Sequence, residues 1–267
     1  MTLIDPRPGP HFFTKKLNLF YGKVPFIITD IINEMEKLNS SQVEGIFRLS
    51  AQKTTVENLC LQLDTGRVFN YQGYEEPHIM ACVIKRYIRE LSLIDPLISS
   101  DIAEDINTEV QTHTGDPQIY TNIQKLIDKN PCKTKRNTLA VLMKFFNRIT
   151  KDASVNRMEA SNFAIVFAPS LYPRSDSVAS GSAMKAIELM ITDHDKIFKP
   201  EWSDPKIVYL SNSEVLKMSE PFINEQNVVI ESQRRFARLN SCIPIDRSNL
   251  MNILHIKRPD RPAPLLT

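Results

Sequence analysis

The sequence predicts an all-α domain, and three observations support that prediction. Apolar residues recur with the helical period in one segment after another between residues 15 and 200. No segment alternates apolar and polar residues for long enough to be a half-buried strand. The chain has 267 residues, 42% of them hydrophobic, which is enough for one sizeable core. We therefore expect one multi-helix domain over residues 15–200, a lead segment over 1–14 and a polar tail over 201–267.

The first helix has the clearest pattern. From Val24 to Leu38, apolar residues fall at i, i+3, i+4, i+7 and i+8, which places them in one continuous stripe on a helix face. The segment 78–93 is apolar around most of its girth, so we expect this helix to be central. Gly66 is suited to end the helix before it, because glycine adopts the left-handed conformation at little cost. The predicted helices are 24–38, 56–63, 78–93, 100–112, 117–129, 135–151, 159–167 and 183–198.

The composition changes after residue 200. Residues 201–267 contain six prolines, no glycine and one plausible helix, 227–239, and we interpret them as a tail rather than a second domain. Pro259 and Pro262 have PxxP spacing beside Arg258 and Arg261. A disordered spacer is the favoured interpretation of this end, and a polyproline II ligand for a polyproline-binding domain is the alternative. The arginines at 234, 235 and 238 indicate a solvated helix face rather than a membrane contact.

Charge, cysteines and glycines disfavour several kinds of function. The formal net charge of +2 is too small to indicate binding to nucleic acid or to an anionic membrane. The 4 cysteines and 5 histidines are scattered without ligand-like spacing, so we expect reduced cysteines and no metal site. The 7 glycines form none of the common phosphate-binding or nucleophile motifs. The sequence has no transmembrane-length apolar run and no signal-peptide pattern, so we expect a soluble, cytoplasmic protein.

Four polar residues stand out from this background. The stretch "QVEGIFRLSAQ" sets Arg48 between apolar neighbours. Lys85 and Arg89 share one face of a predicted helix, where like charges repel by a few tenths of a kcal/mol unless an anion lies between them. Asn162 lies in mid-helix beside an apolar face, where its amide competes for backbone hydrogen bonds. Taken singly, Lys85 and Arg89 are explained as solvated surface cations. Asn162 is explained as an amide that bonds across the core or to water.

Three motifs, in order along the chain, resemble the RhoGAP domain family. "EGIFRLSAQ" (44–52) resembles the signature GIFR(V/L)SG, and "IKRYIRELSLIDPL" (84–97) resembles the helix K..LRELP.PL. "NRMEASNFAIVFAPSL" (156–171) resembles N.M...NLA.VF.P.L, and the resemblance covers roughly residues 15–200. It implies an all-α fold and a protein that stimulates GTP hydrolysis by Rho, Rac or Cdc42-type small GTPases, with a place in signal transduction and regulation of the actin cytoskeleton.

The resemblance also implies a catalytic role for Arg48. In the family, this arginine is inserted into the active site of the GTPase, where it stabilises the negative charge of the transition state. Gly45 and Phe47 would shape and anchor the loop that presents it. The chain would then not be an enzyme by itself, because it supplies one residue in trans. GTP and magnesium would belong to the partner, a Rho-family small GTPase in its GTP-bound form, so the chain would need no cofactor of its own.

The other implied site residues would bind and orient the GTPase. Lys85 and Arg89 would flank the groove and orient the loop of Arg48 and the switch regions of the GTPase. Asn162 would bond to the switch backbone. Pro169 would end its helix and shape the contact surface, and a plain helix stop is the alternative for it.

Two departures from the family pattern and two other functions stay open. Ala51 stands where the family usually has glycine, which predicts that the loop lacks a residue suited to positive φ and that activity is reduced. "RELSLIDPL" differs from RELPEPL by Ser92 in place of proline and by about two extra residues before Pro96. A binding module that does not activate its GTPase would use the same surface. An independent hydrolase or transferase, with a site formed by residues distant in sequence, is the remaining alternative.

Overall fold

Helices joined by short turns make up the described part of the protein. The computed structural model describes residues 13, 17, 24–64, 71–113, 115–172 and 181–203, which all belong to one unit, His11–Val208. No strand occurs in these ranges, and the all-α prediction is confirmed. The helices are α1 (Phe26–Lys37), α2 (Lys53–Asp64), α3 (Pro77–Ile94), α4 (Ser100–His113), α5 (Gln118–Asp128), α6 (Lys133–Thr150), α7 (Ala153–Asn156), α8 (Ala160–Leu171), α9 (Gly181–Thr192), α10 (His194–Ile197) and α11 (Pro200–Ser203), with a 3-10 turn at Ser40–Gln42.

The predicted helices between residues 24 and 167 are present, with small shifts at their ends. Apolar periodicity locates these helices because each one buries a stripe against its neighbours. None of the helices in the described ranges combines the length and the apolarity needed to span a membrane. Gly66 and the predicted tail helix at 227–239 lie outside the described residues.

Two predictions about helix ends are wrong. The predicted helix 183–198 is interrupted at Asp193, whose carbonyl accepts the N–H groups of Lys196 (2.9 Å) and Ile197 (3.2 Å) and so begins α10. Pro169 does not end α8, which continues to Leu171. A proline removes its own N–H from the helical ladder and its ring crowds the carbonyl four residues earlier, but it leaves the N–H groups that follow it free to bond. The next turn still closes, because Tyr172 N–H donates to the Ala168 carbonyl at 3.1 Å.

The helix around which the others pack is α6. It contacts α1, α7, α8, α9, α10 and α11, and 10 of its 18 residues are buried. The expectation that the third helix is the central one is therefore wrong. Although α3 buries eight residues, its cations at 85, 86 and 89 stay at least partly exposed, because isolated charges are costly to bury. One side of α3 is consequently open to solvent.

Five phenylalanines join α6, α8 and the loop before α2. The Phe146 ring lies 4.6 Å from the rings of both Phe163 and Phe167. The Phe47 ring lies 5.4 Å from Phe146 and 5.4 Å from Phe163, and it also contacts Phe145. Aromatic pairs of this kind contribute about 0.5–1.5 kcal/mol each beyond their buried area. The cluster therefore fixes the loop that contains Phe47 to the core.

Phe146→Ala tests the aromatic cluster. Phe146 is fully buried, so we expect the substitution to lower the free energy of unfolding by about 3–5 kcal/mol. Ile165→Ala is the control, since Ile165 is 62% exposed on α8 and its loss is expected to change stability by only about 0.5 kcal/mol. Urea unfolding followed by circular dichroism measures both. Similar losses in the two variants would contradict a core centred on this cluster.

Candidate functional site

The loop that carries Arg48 spans residues 43–50 and is closed by its own backbone. Ile46 N–H donates to the Val43 carbonyl at 3.2 Å. The Gly45 carbonyl accepts two hydrogen bonds, from Arg48 N–H at 2.9 Å and from Leu49 N–H at 2.8 Å. Two successive turns therefore hold the residues on both sides of Phe47. We call this segment the Arg48 loop.

Positive φ angles at two positions give the Arg48 loop its shape. Gly45 has a φ of +70°, and a Cβ there would lie 2.7 Å from Leu49 Cγ. Phe47 has a φ of +61°, a conformation that costs an L-residue about 1–2 kcal/mol. The fully buried ring of Phe47 offsets this cost. Ala51 is not among the described residues with positive φ, so the backbone conformation at this position does not require glycine, and the predicted reduction in activity stays a prediction.

Asn156 connects the Arg48 loop to the core and was missed by the sequence prediction. Its carbonyl accepts the Gly45 N–H at 2.8 Å. Its side-chain amide donates to the carbonyls of Ser41 and Ile149, both at 2.8 Å, and its Oδ1 accepts the Met158 N–H at 2.7 Å. Asn156 is fully buried, so each of these bonds replaces one that water would make. In the sequence, Asn156 is the first residue of the "NRM" motif. That motif indicated the family, but no role was predicted for the asparagine itself.

Backbone strain in the described ranges is concentrated around this loop. The non-glycine residues with positive φ there are Asn39, Phe47 and Arg157. Asn39 precedes the turn at Ser40–Gln42, and Arg157 directly follows Asn156. Strained backbone of this kind persists when surrounding contacts determine it, and it clusters at functional sites. The loop is therefore fixed in one conformation by its neighbours.

The Arg48 side chain is presented to solvent by this rigid loop. Arg48 is exposed, whereas Phe47 before it is fully buried. Within the described residues, the Arg48 guanidinium has no hydrogen-bond or ion-pair partner, and the next residue, Leu49, is 51% exposed. The backbone is thus held while the cation stays available for an external anion.

A groove of about 510 Å³ lies beside the Arg48 loop. Residues from the end of the loop, α2, α3 and α8 line it: Ser50, Ala51, Lys53, Val56, Glu57, Cys82, Lys85, Arg86, Arg89, Val166, Phe167 and Ser170. The predicted cations Lys85 and Arg89 both belong to this lining, whereas Arg48 lies on the loop next to it. The structure therefore brings the three predicted cations to one side of the domain.

The three cations of α3 in the groove have different partners. Lys85 Nζ donates to the Phe47 carbonyl at 3.0 Å, one residue before Arg48. Arg86 pairs with Glu90 at 2.7 Å and lies over the Phe13 ring at 5.6 Å from its centroid. The Arg89 side chain is exposed and has no polar partner in the part of the chain that the structure describes. The Lys85 side chain thus binds the Arg48 loop, and the Arg86 side chain contacts other parts of the domain. The Arg89 side chain remains available to an external partner.

The outer face of α8 continues the same side of the domain. Asn162 lies at its start, and its amide nitrogen donates to the Arg157 carbonyl at 3.1 Å. Ile165 is 62% exposed, and Pro169 is exposed one turn further along. Single exposed apolar side chains are common on protein surfaces, so it is the position of Ile165 near Asn162 and Pro169 that makes this face a candidate for contact with another protein.

The candidate site combines the exposed Arg48 side chain with the groove beside its loop. Among the described residues, no three His, Cys, Asp or Glu side chains converge so as to hold a metal ion. The predicted residues Gly45, Phe47, Arg48, Lys85, Arg89, Asn162 and Pro169 lie on or beside the groove, and their functional roles stay predictions.

Comparison with known proteins identifies the domain family. Residues 25–176 match the model of the RhoGAP domain. The chain is 28% identical over 200 residues to human GEM-interacting protein, a match that covers 67% of this chain and 20% of that protein. It is 27% identical over 213 residues to Rho GTPase-activating protein 45 of Xenopus laevis, covering 69% of this chain and 19% of that protein. The chain thus spans about a fifth of the length of these relatives.

A solved structure has the same fold. The crystal structure of human Rho GTPase activating protein 15 matches with a TM-score of 0.64 and 23% sequence identity. The match covers 74% of this chain and 94% of that chain. At this identity the likeness establishes the helical fold, and the roles of individual residues need other support.

A matched pair of substitutions tests the anchoring role of Asn156. Asn156→Ala leaves two buried backbone groups and one partly buried backbone group without their partners, so we expect it to lower the free energy of unfolding by about 3 kcal/mol. Asn162→Ala also removes an asparagine side chain, but one whose hydrogen bond lies at the surface. We expect it to lower the free energy of unfolding by less than about 1 kcal/mol. Urea unfolding measures both. Equal losses would show that the side-chain bonds of Asn156 do not stabilise the backbone segment from which its carbonyl reaches the loop.

Proposed function

Because the chain belongs to the RhoGAP domain family, we propose that it stimulates GTP hydrolysis by a Rho-family small GTPase, with Arg48 as the arginine finger. The observation that carries this proposal is the geometry of the Arg48 loop. A strained backbone, a buried phenylalanine and a buried asparagine fix the loop, yet the arginine on it is exposed. A cation held in this way can enter the active site of a partner without reorganisation of its backbone.

Arginine suits the chemistry of GTP hydrolysis. The transition state spreads negative charge over the phosphoryl oxygens, and stabilisation of that charge is the main task of catalysis. A guanidinium is always charged and can donate to two oxygens at once. Docking excludes water, so each contact acts in a medium of lower dielectric. Arginine fingers accelerate hydrolysis by about 10³ to 10⁵, which corresponds to roughly 4–7 kcal/mol of the barrier.

Lys85 supports this role through the Arg48 loop. Its ammonium group donates to the Phe47 carbonyl at 3.0 Å, so it fixes the peptide that leads directly into Arg48. Positioning of a reacting group before it meets the substrate lowers the entropy that is lost in the transition state. In the proposal, Lys85 is therefore a positioning residue and acts on hydrolysis through Arg48.

Arg89 and the outer face of α8 bind the GTPase in this proposal. Arg89 is exposed and available to an acidic or carbonyl group of the partner. The part of the Asn162 amide that does not bond to Arg157 lies near Ile165 and Pro169. In the proposal, this apolar patch with its polar neighbour contacts a switch segment of the GTPase. GTP and magnesium come with the GTPase. The partner is its GTP-bound form, because only that form has the phosphoryl group on which Arg48 acts.

Arg48→Ala tests the finger. We expect most of the activation to be lost, while affinity for the GTP-loaded partner stays within about tenfold, because Arg48 acts chiefly in the transition state. Affinity for the GDP–aluminium fluoride form, which mimics the transferring phosphoryl group, should fall much further. Arg48→Lys should rescue poorly, since it keeps the charge but not the planar fork. Single-turnover hydrolysis by a panel of Rho, Rac, Cdc42 and Ras proteins measures the effect.

The control for Arg48 is Arg148→Ala. Arg148 is also exposed, pairs with Glu36 on α1 and does not line the groove, so its loss should leave activation unchanged. If the wild-type chain accelerates no Rho-family member but still binds one, the chain is a binding module that does not activate. Full activation by Arg48→Ala would assign catalysis to a different residue.

A double-mutant cycle separates the roles of Lys85 and Arg89. Either single alanine variant should weaken both affinity and activation and leave the fold intact, because neither side chain is fully buried. In the Arg48→Ala background, Lys85→Ala should add little further loss of hydrolysis rate, since it acts through Arg48. Arg89→Ala should still weaken affinity in that background. Two single variants with wild-type affinity and rate would make both residues plain surface cations.

A further inference from the structure

The end of α3 continues for nearly one turn beyond Leu91 and presents an exposed leucine. The related motif RELPEPL has a proline directly after its leucine, whereas Ser92 follows Leu91 here. The Ser92 hydroxyl donates to the Arg89 carbonyl at 2.7 Å, and the helix runs on to Ile94. The three helical residues after Leu91 add about 4.5 Å to α3 at the rise of an α-helix. Leu93, in this addition, is 60% exposed.

Leu93 continues the row of α3 that lines the groove. The α3 residues in the groove are Cys82, Lys85, Arg86 and Arg89. Their spacing of three or four residues places them on one side of the helix, and the next position in that row is 93. Ile94, the next residue, instead follows the row of Tyr87 and Leu91, which are both buried. The two exposed apolar residues at this helix end therefore point in different directions.

The helix end that presents Leu93 is held firmly. Asp95 N–H donates to the Leu91 carbonyl at 2.8 Å and closes the last turn. The Asp95 carboxylate accepts the Leu17 N–H at 2.7 Å and pairs with Lys135 of α6 at 2.5 Å. Leu97 and Ile98, which follow, are buried. A side chain on such an element loses little backbone entropy when a partner covers it.

From these contacts we infer that Leu93 is a further binding contact for the small GTPase, and this inference rests on the proposed function. A partner that covers Arg89 meets Leu93 one helical turn further along, beyond the rim of the charged groove. Scattered exposed leucines are normal on protein surfaces. The position of this one, in the row of the binding cations and on an anchored end, favours a GTPase with an apolar side chain there. The contact adds affinity and leaves the chemical step to Arg48.

Equilibrium titration and single-turnover kinetics test the inference on the GTPase that the wild-type chain activates best. Leu93→Ser should raise the dissociation constant for the GTPase bound to a non-hydrolysable GTP analogue by about tenfold, from the lost burial of a leucine. The hydrolysis rate at saturating concentration should match wild type. Leu93→Met should restore affinity, because it keeps an apolar side chain of similar volume.

Ile94→Ser is the matched control. It makes the same kind of change one residue away, and we expect an affinity within about twofold of wild type. Loss of affinity in Ile94→Ser equal to that in Leu93→Ser would assign the effect to a loosened end of α3 and overturn the inference. So would wild-type affinity in Leu93→Ser. A wild-type chain that neither binds nor activates any GTPase overturns the proposed function itself, whereas an activating wild type with unchanged Leu93 variants overturns this inference alone.

Discussion

The site depends on one backbone constraint at residues 47 and 48. The first side chain must enter the core while the second points to solvent, and the left-handed conformation of Phe47 accomplishes this reversal. That conformation costs about 1–2 kcal/mol for a residue with a Cβ. Burial of the phenylalanine ring among four others offsets the cost. The same residue thus anchors the loop in the core and exposes the arginine that follows it.

Anchors distant in sequence make this conformation stable. Asn156 bonds to Ser41, 115 positions away, and its backbone carbonyl holds Gly45. Lys85 holds the Phe47 carbonyl from a third segment, 38 positions away. These bonds form only when α3 and α7 have packed against the loop, so the loop conformation is a property of the folded domain. An isolated peptide with the loop sequence would not keep it, because its turns would compete with many other conformations.

Sequence reasoning found the elements that depend on local pattern. Apolar periodicity located α1 to α6 and α8 but not the four-residue helix α7, and the GIFR, helix and NRM motifs identified the family. It missed features set by tertiary contacts. The role of Asn156 depends on bonds to residues far along the chain, and the positive φ of Phe47 depends on the ring cluster. The prediction for Pro169 failed because a rule about local sequence was applied to a helix whose last turn is held by buried neighbours.

The local arrangement of charge, rather than the total, fits a phosphate-bearing partner. A formal net charge of +2 over 267 residues gives no long-range attraction worth considering. The groove differs, because four cations line it together with one acid, Glu57. Arg86 is neutralised by Glu90, and Lys85 is turned toward a backbone carbonyl. The fourth cation of the lining, Lys53, pairs with Glu57 at 3.8 Å. Among the described cations of the groove and the Arg48 loop, Arg89 and Arg48 therefore remain without a hydrogen-bond or ion-pair partner for their side chains, and they are the two that the proposed mechanism assigns to the GTPase.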